Sequence, residues 1–125
     1  MNPNCGKILV VDDDAGFRSA LCHLLRASGF QPVELETPRD ALKIVAEINP
    51  DLILLDLHMP GVNGDKLLQK IRDCGLDVPV IIISGQVEIE HLNTLRSHGV
   101  EHILVKPVNK SILIEKIRSS MLLAG

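Results

Sequence analysis

Hydrophobic and polar positions along this chain follow two alternating periods. Nearly unbroken apolar runs occur at Lys7–Val11 (KILVV), Asp51–Asp56 (DLILLD), Pro79–Ser84 (PVIIIS) and His102–Lys106 (HILVK). Short runs rich in Ile, Val and Leu and bounded by turn formers predict strands buried on both faces, as in a parallel sheet. Gln31–Glu36 (QPVELE) is less continuous and predicts a strand nearer the sheet edge, where Pro32 is tolerated.

Between these runs the apolar residues recur at helical spacing. Phe17, Leu21, Leu24 and Leu25 share one face ahead of Gly29, a suitable C-terminal cap. A second helix is expected to begin with Thr37 as N-cap and Pro38 at the first helical position. It carries Ala41, Leu42, Val45 and Ile48 and ends before Asn49-Pro50. Leu67, Leu68 and Ile71 mark a third helix, closed by Gly75. A fourth, more polar, spans Val87–Ser97 and stops at Gly99. The fifth begins near Asn109 and carries Ile112, Leu113, Ile114, Ile117 and Met121.

The pattern is therefore a strand followed by a helix, five times over. Right-handed crossovers between parallel strands put helices on both faces of the sheet, so the predicted fold is a doubly wound α/β sandwich. A closed barrel needs eight such units. With 125 residues the chain has the length of one domain, expected to span residues 1–125 with an ordered core over about 6–122. No linker or low-complexity tract interrupts it.

Composition narrows the partners. Hydrophobic residues make up 46% and charged residues 23%, enough for a core and a hydrated surface. Net charge is -3, which offers no basic field for direct nucleic-acid binding, and without Trp or Tyr there is little to stack bases or sugars. No apolar run approaches the ~20 residues that span a bilayer, and the first residues lack a signal peptide's apolar core, so the cytoplasm is the expected compartment, with no membrane partner. Cys5, Cys22 and Cys74 are scattered without a CxxC pair and read as small buried or half-buried residues rather than redox groups.

In an open parallel sheet, ligands bind beyond the carboxyl ends of the strands. The first strand delivers Asp12-Asp13-Asp14 to that edge, the third Asp56, the fourth Ser84 and the fifth Lys106 followed by Pro107. Polar residues commonly follow buried strands because the chain is emerging into water, and that accounts for any one of them. It accounts less well for the set. Glu34 and Glu36, at the end of the second strand, are taken as surface charge. Clustered carboxylates favour a divalent cation, and an all-oxygen group such as Asp12, Asp13 and Asp56 suits magnesium rather than zinc. A carboxylate beside such an ion can attack phosphorus, with Lys106 and Ser84 available for the transferred oxygens.

The runs ILVVDDD, LILLDLHMPGVNG, VIIISG and ILVKP, in this order and spacing, resemble the signature set of response-regulator receiver domains of two-component signalling. The resemblance covers essentially the whole chain. It implies a flavodoxin-like five-stranded sheet in the order 2-1-3-4-5, as in the chemotaxis member of the family, which brings Asp12, Asp13 and Asp56 together. By the same resemblance Asp56 is the phosphoacceptor and Asp13 a direct magnesium ligand. Asp12 is the acidic partner that works through water, and the backbone carbonyl of His58 is a further ligand. Ser84, followed by Gly85, is the switch hydroxyl, and Lys106 binds phosphate, aimed by a cis bond to Pro107. Manganese is the expected substitute ion. The donor is a sensor histidine kinase or a histidine phosphotransfer protein, and a downstream protein or output domain reads the result. Such a protein is a phosphorelay switch rather than an enzyme, limited to self-catalysed transfer and slow autodephosphorylation.

Several points stay open. Asp14 stands where the first helix begins, so capping explains it as well as chemistry does. The imidazole of His58, and those of His23, His91, His98 and His102, are read as surface or satisfied groups. Family members often carry Tyr or Phe three residues before the lysine, and here that position is Ile103. An aromatic rotamer switch cannot operate there. Two other readings remain: a pseudo-receiver that binds partners without phosphorylation, and a phosphatase or flavin enzyme on the same architecture. A flavin site would require a phosphate-cradling loop where Asp12-Asp13-Asp14 instead repels phosphate.

Overall fold

The computed structural model describes residues 6–36, 38–59 and 62–124. Strands β1 (Lys7–Val11), β2 (Gln31–Leu35), β3 (Leu52–Leu55), β4 (Val80–Ser84) and β5 (His102–Val105) form one parallel sheet. Their spatial order is β2-β1-β3-β4-β5, the order the resemblance implied. A two-residue antiparallel ribbon, His58–Met59 with Val62–Asn63, follows β3. Segments that short leave no periodic signal in a sequence, and none was expected.

Alternation along each strand divides the core in two. Leu9 and Val11 of β1, with Ile53, Leu55 and Ile82, face a cluster completed by helices α2 (Ala41–Ile48), α3 (Gly64–Asp73) and α4 (Ile89–Ser97). Ile8 and Val10, with Leu52, Leu54, Ile81 and Ile83, face helices α1 (Ala15–Ala27) and α5 (Lys110–Ala124). Successive strand residues are thus buried on opposite faces, which is why the runs read as continuously apolar. Each fully buried Ile, Leu or Val contributes roughly 1.5–3 kcal/mol against leaving it in water.

Helix boundaries show which local signals prevail. Asp14 caps α1 through a hydrogen bond from the Phe17 N–H to Oδ1 at 3.1 Å. Gly29 (φ 92°) and Gly75 (φ 80°) follow α1 and α3 in the left-handed region that glycine enters without strain. Asn49 closes α2 in the same region with φ 48°. The second helix starts differently from expectation: Pro38–Asp40 form a 3-10 turn and α2 begins at Ala41. A tight opening turn is common at helix starts and loses nothing to the missing proline N–H. Thr37, expected to cap it, lies outside the described residues. Helix α4 begins at Ile89 behind Glu88, two residues later than its polar sequence suggested. Asn109 Oδ1 accepts the Ile112 N–H at 3.0 Å and opens α5.

The cysteines divide. Cys22 is fully buried and its thiol is pushed up by burial, with the Glu34 charge adding. Cys74 is exposed, which corrects the expectation that it would be at least half-buried, because α3 ends beside it at Asp73. Cys5 lies outside the described residues. Arg72, in α3, is held among carbonyls: Nε donates to His98 at 2.7 Å, and Nη1 donates to Leu76 at 2.9 Å and Val78 at 2.7 Å. It ties the end of α4 to the segment leading into β4. Among the described residues no helix is long and apolar enough to cross a membrane.

Candidate functional site

Strand register builds the site. Val11 of β1 pairs with Leu55 of β3, so the next residue of each, Asp12 and Asp56, leaves the sheet alongside the other. The Asp56 N–H reaches back to the Val11 carbonyl at 3.1 Å. At the neighbouring strand ends the Lys106 N–H donates to the Ser84 carbonyl at 2.8 Å, holding the ends of β4 and β5 together.

Asp12 and Asp56 are buried, at 2% and 5% exposure, while Asp13 is exposed. One carboxylate oxygen from each of Asp12, Asp13 and Asp56 lies within 4.8 Å of the others. Three hard oxygen donors, two of them withdrawn from water, fit a divalent cation that takes oxygen ligands and retains its own waters. The two buried carboxylates are already oriented. Asp12 Oδ1 accepts the Asp14 N–H at 2.8 Å and Oδ2 accepts from Lys106 Nζ at 3.0 Å. Asp56 Oδ1 accepts the His58 N–H at 3.1 Å, and Oδ2 stands 3.5 Å from Lys106 Nζ.

Lys106 therefore bridges the two buried acids. Burial opposes its charge, but the hydrogen bond to Asp12 and the charges of Asp12 and Asp56 outweigh that and lift the ammonium above the usual lysine range. The Lys106–Pro107 peptide bond is cis. Phe17, on the first turn of α1, places its ring centroid 4.2 Å from Lys106 Nζ. The adjacent Arg18 donates from Nη1 to the Asp12 carbonyl at 2.6 Å and from Nε to Glu34 at 3.1 Å. Glu34, taken as surface charge from the sequence, is thus the anchor of an arginine that steadies the acidic loop.

Lys106 and Asp56 open onto a cleft of about 550 Å³, lined also by Asp13, Asp14, His58, Gly85 and Gln86. The Gly85 position has open space where a side chain would begin, with nothing within 4 Å of an added Cβ. Gly64, by contrast, lets the start of α3 press onto the site loop, because a Cβ there would lie 2.8 Å from Leu57 Cα and 3.0 Å from the Asp56 carbonyl.

The family model described as the response regulator receiver domain matches residues 8–118. The chain belongs to the response-regulator receiver family. Among curated relatives it is 33% identical over 117 residues to the phosphate regulon transcriptional regulatory protein PhoB of Escherichia coli, covering 92% of this chain and 51% of PhoB. It is also 33% identical over 116 residues to the DNA-binding response regulator MtrA of Mycobacterium tuberculosis, covering 92% of this chain and 50% of MtrA. The chain thus spans about half the length of these relatives. Their descriptions name transcriptional regulation and DNA binding, so they lend no support to the exclusion of nucleic acid drawn from net charge. In fold it superimposes on the receiver domain of a Francisella response regulator with a TM-score of 0.88 and 26% identity, covering 96% of this chain and 99% of that one.

In this receiver domain the structure brings Asp12, Asp13, Asp56 and Lys106 into one cluster, while Ser84 is fully buried beside it. The Ser84 hydroxyl donates to the Gln86 carbonyl at 3.1 Å. The same carbonyl lies 2.7 Å from His58 Nε2, and that imidazole is 4.0 Å from Glu88. His91 continues the chain, with Nδ1 3.1 Å from Glu88 and Nε2 3.6 Å from Asp65. The His58 side chain is partly exposed, as read from the sequence, but it is engaged with the loop that follows β4. Ile103 packs against the larger core cluster. Asp14 acts as the α1 cap and also lines the cleft. His23 and His98 are not part of the cluster.

Sequence reasoning missed Phe17, Arg18 and Gln86. Phe17 was read as one position of an apolar helix face, although it is one of only two aromatic residues and stands one turn beyond the acidic run. Arg18 follows it directly. Gln86 acts through its backbone carbonyl, for which side-chain identity carries no signal.

Proposed function

We propose that the domain is a phosphorelay switch in which Asp56 accepts a phosphoryl group from a sensor histidine kinase or a histidine phosphotransfer protein. The observation that carries this reading is the arrangement of Lys106 Nζ, 3.0 Å from Asp12 and 3.5 Å from Asp56, at the mouth of an open cleft. In the transfer, an Asp56 carboxylate oxygen forms the new bond to phosphorus as the donor's phosphorus–nitrogen bond breaks, the electron pair stays on the leaving nitrogen, and the imidazole takes up a proton from solvent. Hydrolysis returns the carboxylate and releases inorganic phosphate. Asp12, Asp13, Asp56 and the His58 carbonyl would hold magnesium, or manganese in its place, which supplies positive charge for the transferred oxygens.

The chain's own groups do the rest. The His58 N–H keeps the Asp56 carboxylate from rotating, and Lys106 provides a fixed cation for phosphoryl oxygens. The Ser84 hydroxyl turns from the Gln86 carbonyl to a phosphoryl oxygen. This loosens the loop after β4 and biases the two packings that a partner protein or output domain distinguishes. The cytoplasm is the compartment in which a histidine-kinase donor would meet it. Pseudo-receivers usually lose an acidic-pair residue, the acceptor or the lysine, and this chain keeps Asp12, Asp13, Asp56 and Lys106, which favours the switch.

Incubation with acetyl phosphate and magnesium, read by intact mass, tests the reading. A single phosphoryl adduct that EDTA prevents is the expected result. An adduct indifferent to EDTA, or none, overturns it.

A further inference from the structure

We propose that Phe17 is the positioning residue for Lys106, its ring holding the lysine ammonium at the level of the Asp12 and Asp56 carboxylates. The inference rests on the phosphoacceptor reading and adds to it the group that keeps the lysine in place. Lysine carries its charge on a flexible four-carbon stem, so a point attraction alone does not fix where the ammonium sits. Here Nζ lies 4.2 Å from the Phe17 ring centroid, within the range where the ring's quadrupole attracts a cation. The Lys106 side chain is only 22% exposed, so water screens that attraction weakly.

The ring is itself held. Phe17 sits in the first turn of α1, where its N–H donates to Asp14 Oδ1 at 3.1 Å, and its side chain packs against the core cluster under α1 and α5. The next residue, Arg18, holds the Asp12 carbonyl at 2.6 Å. One helical turn therefore orients both the lysine and the acid it pairs with. An uncharged partner has a particular advantage at this place. When phosphoryl joins Asp56, negative charge moves from the carboxylate to the phosphoryl oxygens, and the ionic partners of Lys106 change. The ring attracts the ammonium equally before and after, so the lysine is delivered to the new oxygens without first being released.

A purely structural role predicts something different. Leucine at position 17 would fill the same core site but offer no quadrupole. The test compares the rate of phosphorylation by acetyl phosphate, with magnesium saturating, in wild type, Phe17→Leu and Phe17→Tyr, each also in a Lys106→Gln background followed over hours. Phe17→Leu is expected to slow the reaction about 3- to 10-fold, Phe17→Tyr to restore it, and neither to change the rate once Lys106 is replaced. As a second measurement, the Lys106 ε-methylene protons should be shifted upfield by the ring in wild type and lose that shift in Phe17→Leu. A wild-type rate in Phe17→Leu, an equal slowing in the Lys106→Gln background, or unshifted ε-methylene protons in wild type would each overturn the proposal. Absence of any adduct in wild type would instead overturn the phosphoacceptor reading beneath it.

Discussion

Ser84 and His58, from the ends of different strands, converge on one atom: the Gln86 carbonyl lies 3.1 Å from the serine hydroxyl and 2.7 Å from the histidine Nε2. A carbonyl has two lone pairs, so both donors can be accommodated, and the loop after β4 is pinned from two sides. On the proposed phosphorylation Ser84 would exchange this carbonyl for a stronger, charged acceptor, and the loop would keep only its contact with His58. The aromatic that family members often carry three residues before the lysine is here Ile103, which packs against the core, so the proposed switch would act through the loop.

Ser84→Ala separates the two steps. The variant should still take phosphoryl at Asp56, while the amide shifts of Gln86, Val87 and Glu88 on phosphorylation fall to a small fraction of those in wild type. Two-dimensional amide NMR with and without acetyl phosphate checks this. Wild-type shifts in the variant would show that the hydroxyl is not the first mover.

The Lys106 pairing makes stability depend on alkaline pH. Its folded-state pKa is raised, so the stabilisation is fully present below the unfolded value and is lost as pH rises through the folded one. Urea unfolding in EDTA should therefore show wild type more stable than Lys106→Met at neutral pH, with the gap closing above about pH 10.4. A gap that is constant or widens with pH would contradict the pairing.

Two glycines beside the site should respond oppositely to alanine. Gly64→Ala places a methyl 2.8 Å from Leu57 Cα, a backbone contact that cannot swing aside, and should destabilise by roughly 1–3 kcal/mol. Gly85→Ala meets nothing within 4 Å and should leave stability within about 0.5 kcal/mol or raise it slightly. Chemical denaturation of both variants gives the comparison.

Arg72 should be among the costliest polar residues to replace. Its guanidinium satisfies the carbonyls of His98, Leu76 and Val78 together. Arg72→Ala is expected to destabilise by about 2–4 kcal/mol, and Arg72→Lys to recover little, because an ammonium lacks the planar fork that reaches all three. Loss of under about 0.5 kcal/mol on urea unfolding would show that water replaces the guanidinium.

Much of this was legible before the structure. The apolar runs were long enough and β-branched enough to locate the sheet strands, and the charged residues that emerge from three of them meet, with Ser84 from a fourth buried beside them. Strand order came from resemblance, because periodicity fixes which face a residue takes but not which strand lies beside which. Where local signals were weak the boundaries moved, as at Pro38 and at the polar start of α4. What stayed hidden has a common cause. Arg72 and His58 contact backbone carbonyls presented by distant loops, and Phe17 meets Lys106 through the direction of its ring. None of these leaves a mark in the pattern of residue types.

The central claim is that one carboxylate, that of Asp56, carries the phosphoryl group. Borohydride reduces an acyl phosphate to an alcohol, converting aspartyl phosphate to homoserine, and this gives the most direct test. Protein treated with acetyl phosphate and magnesium, reduced and digested, should yield homoserine at position 56 and at no other aspartate, and none after EDTA or in Asp56→Asn. Homoserine at Asp12 or Asp13, or an adduct that survives in Asp56→Asn, would contradict the account.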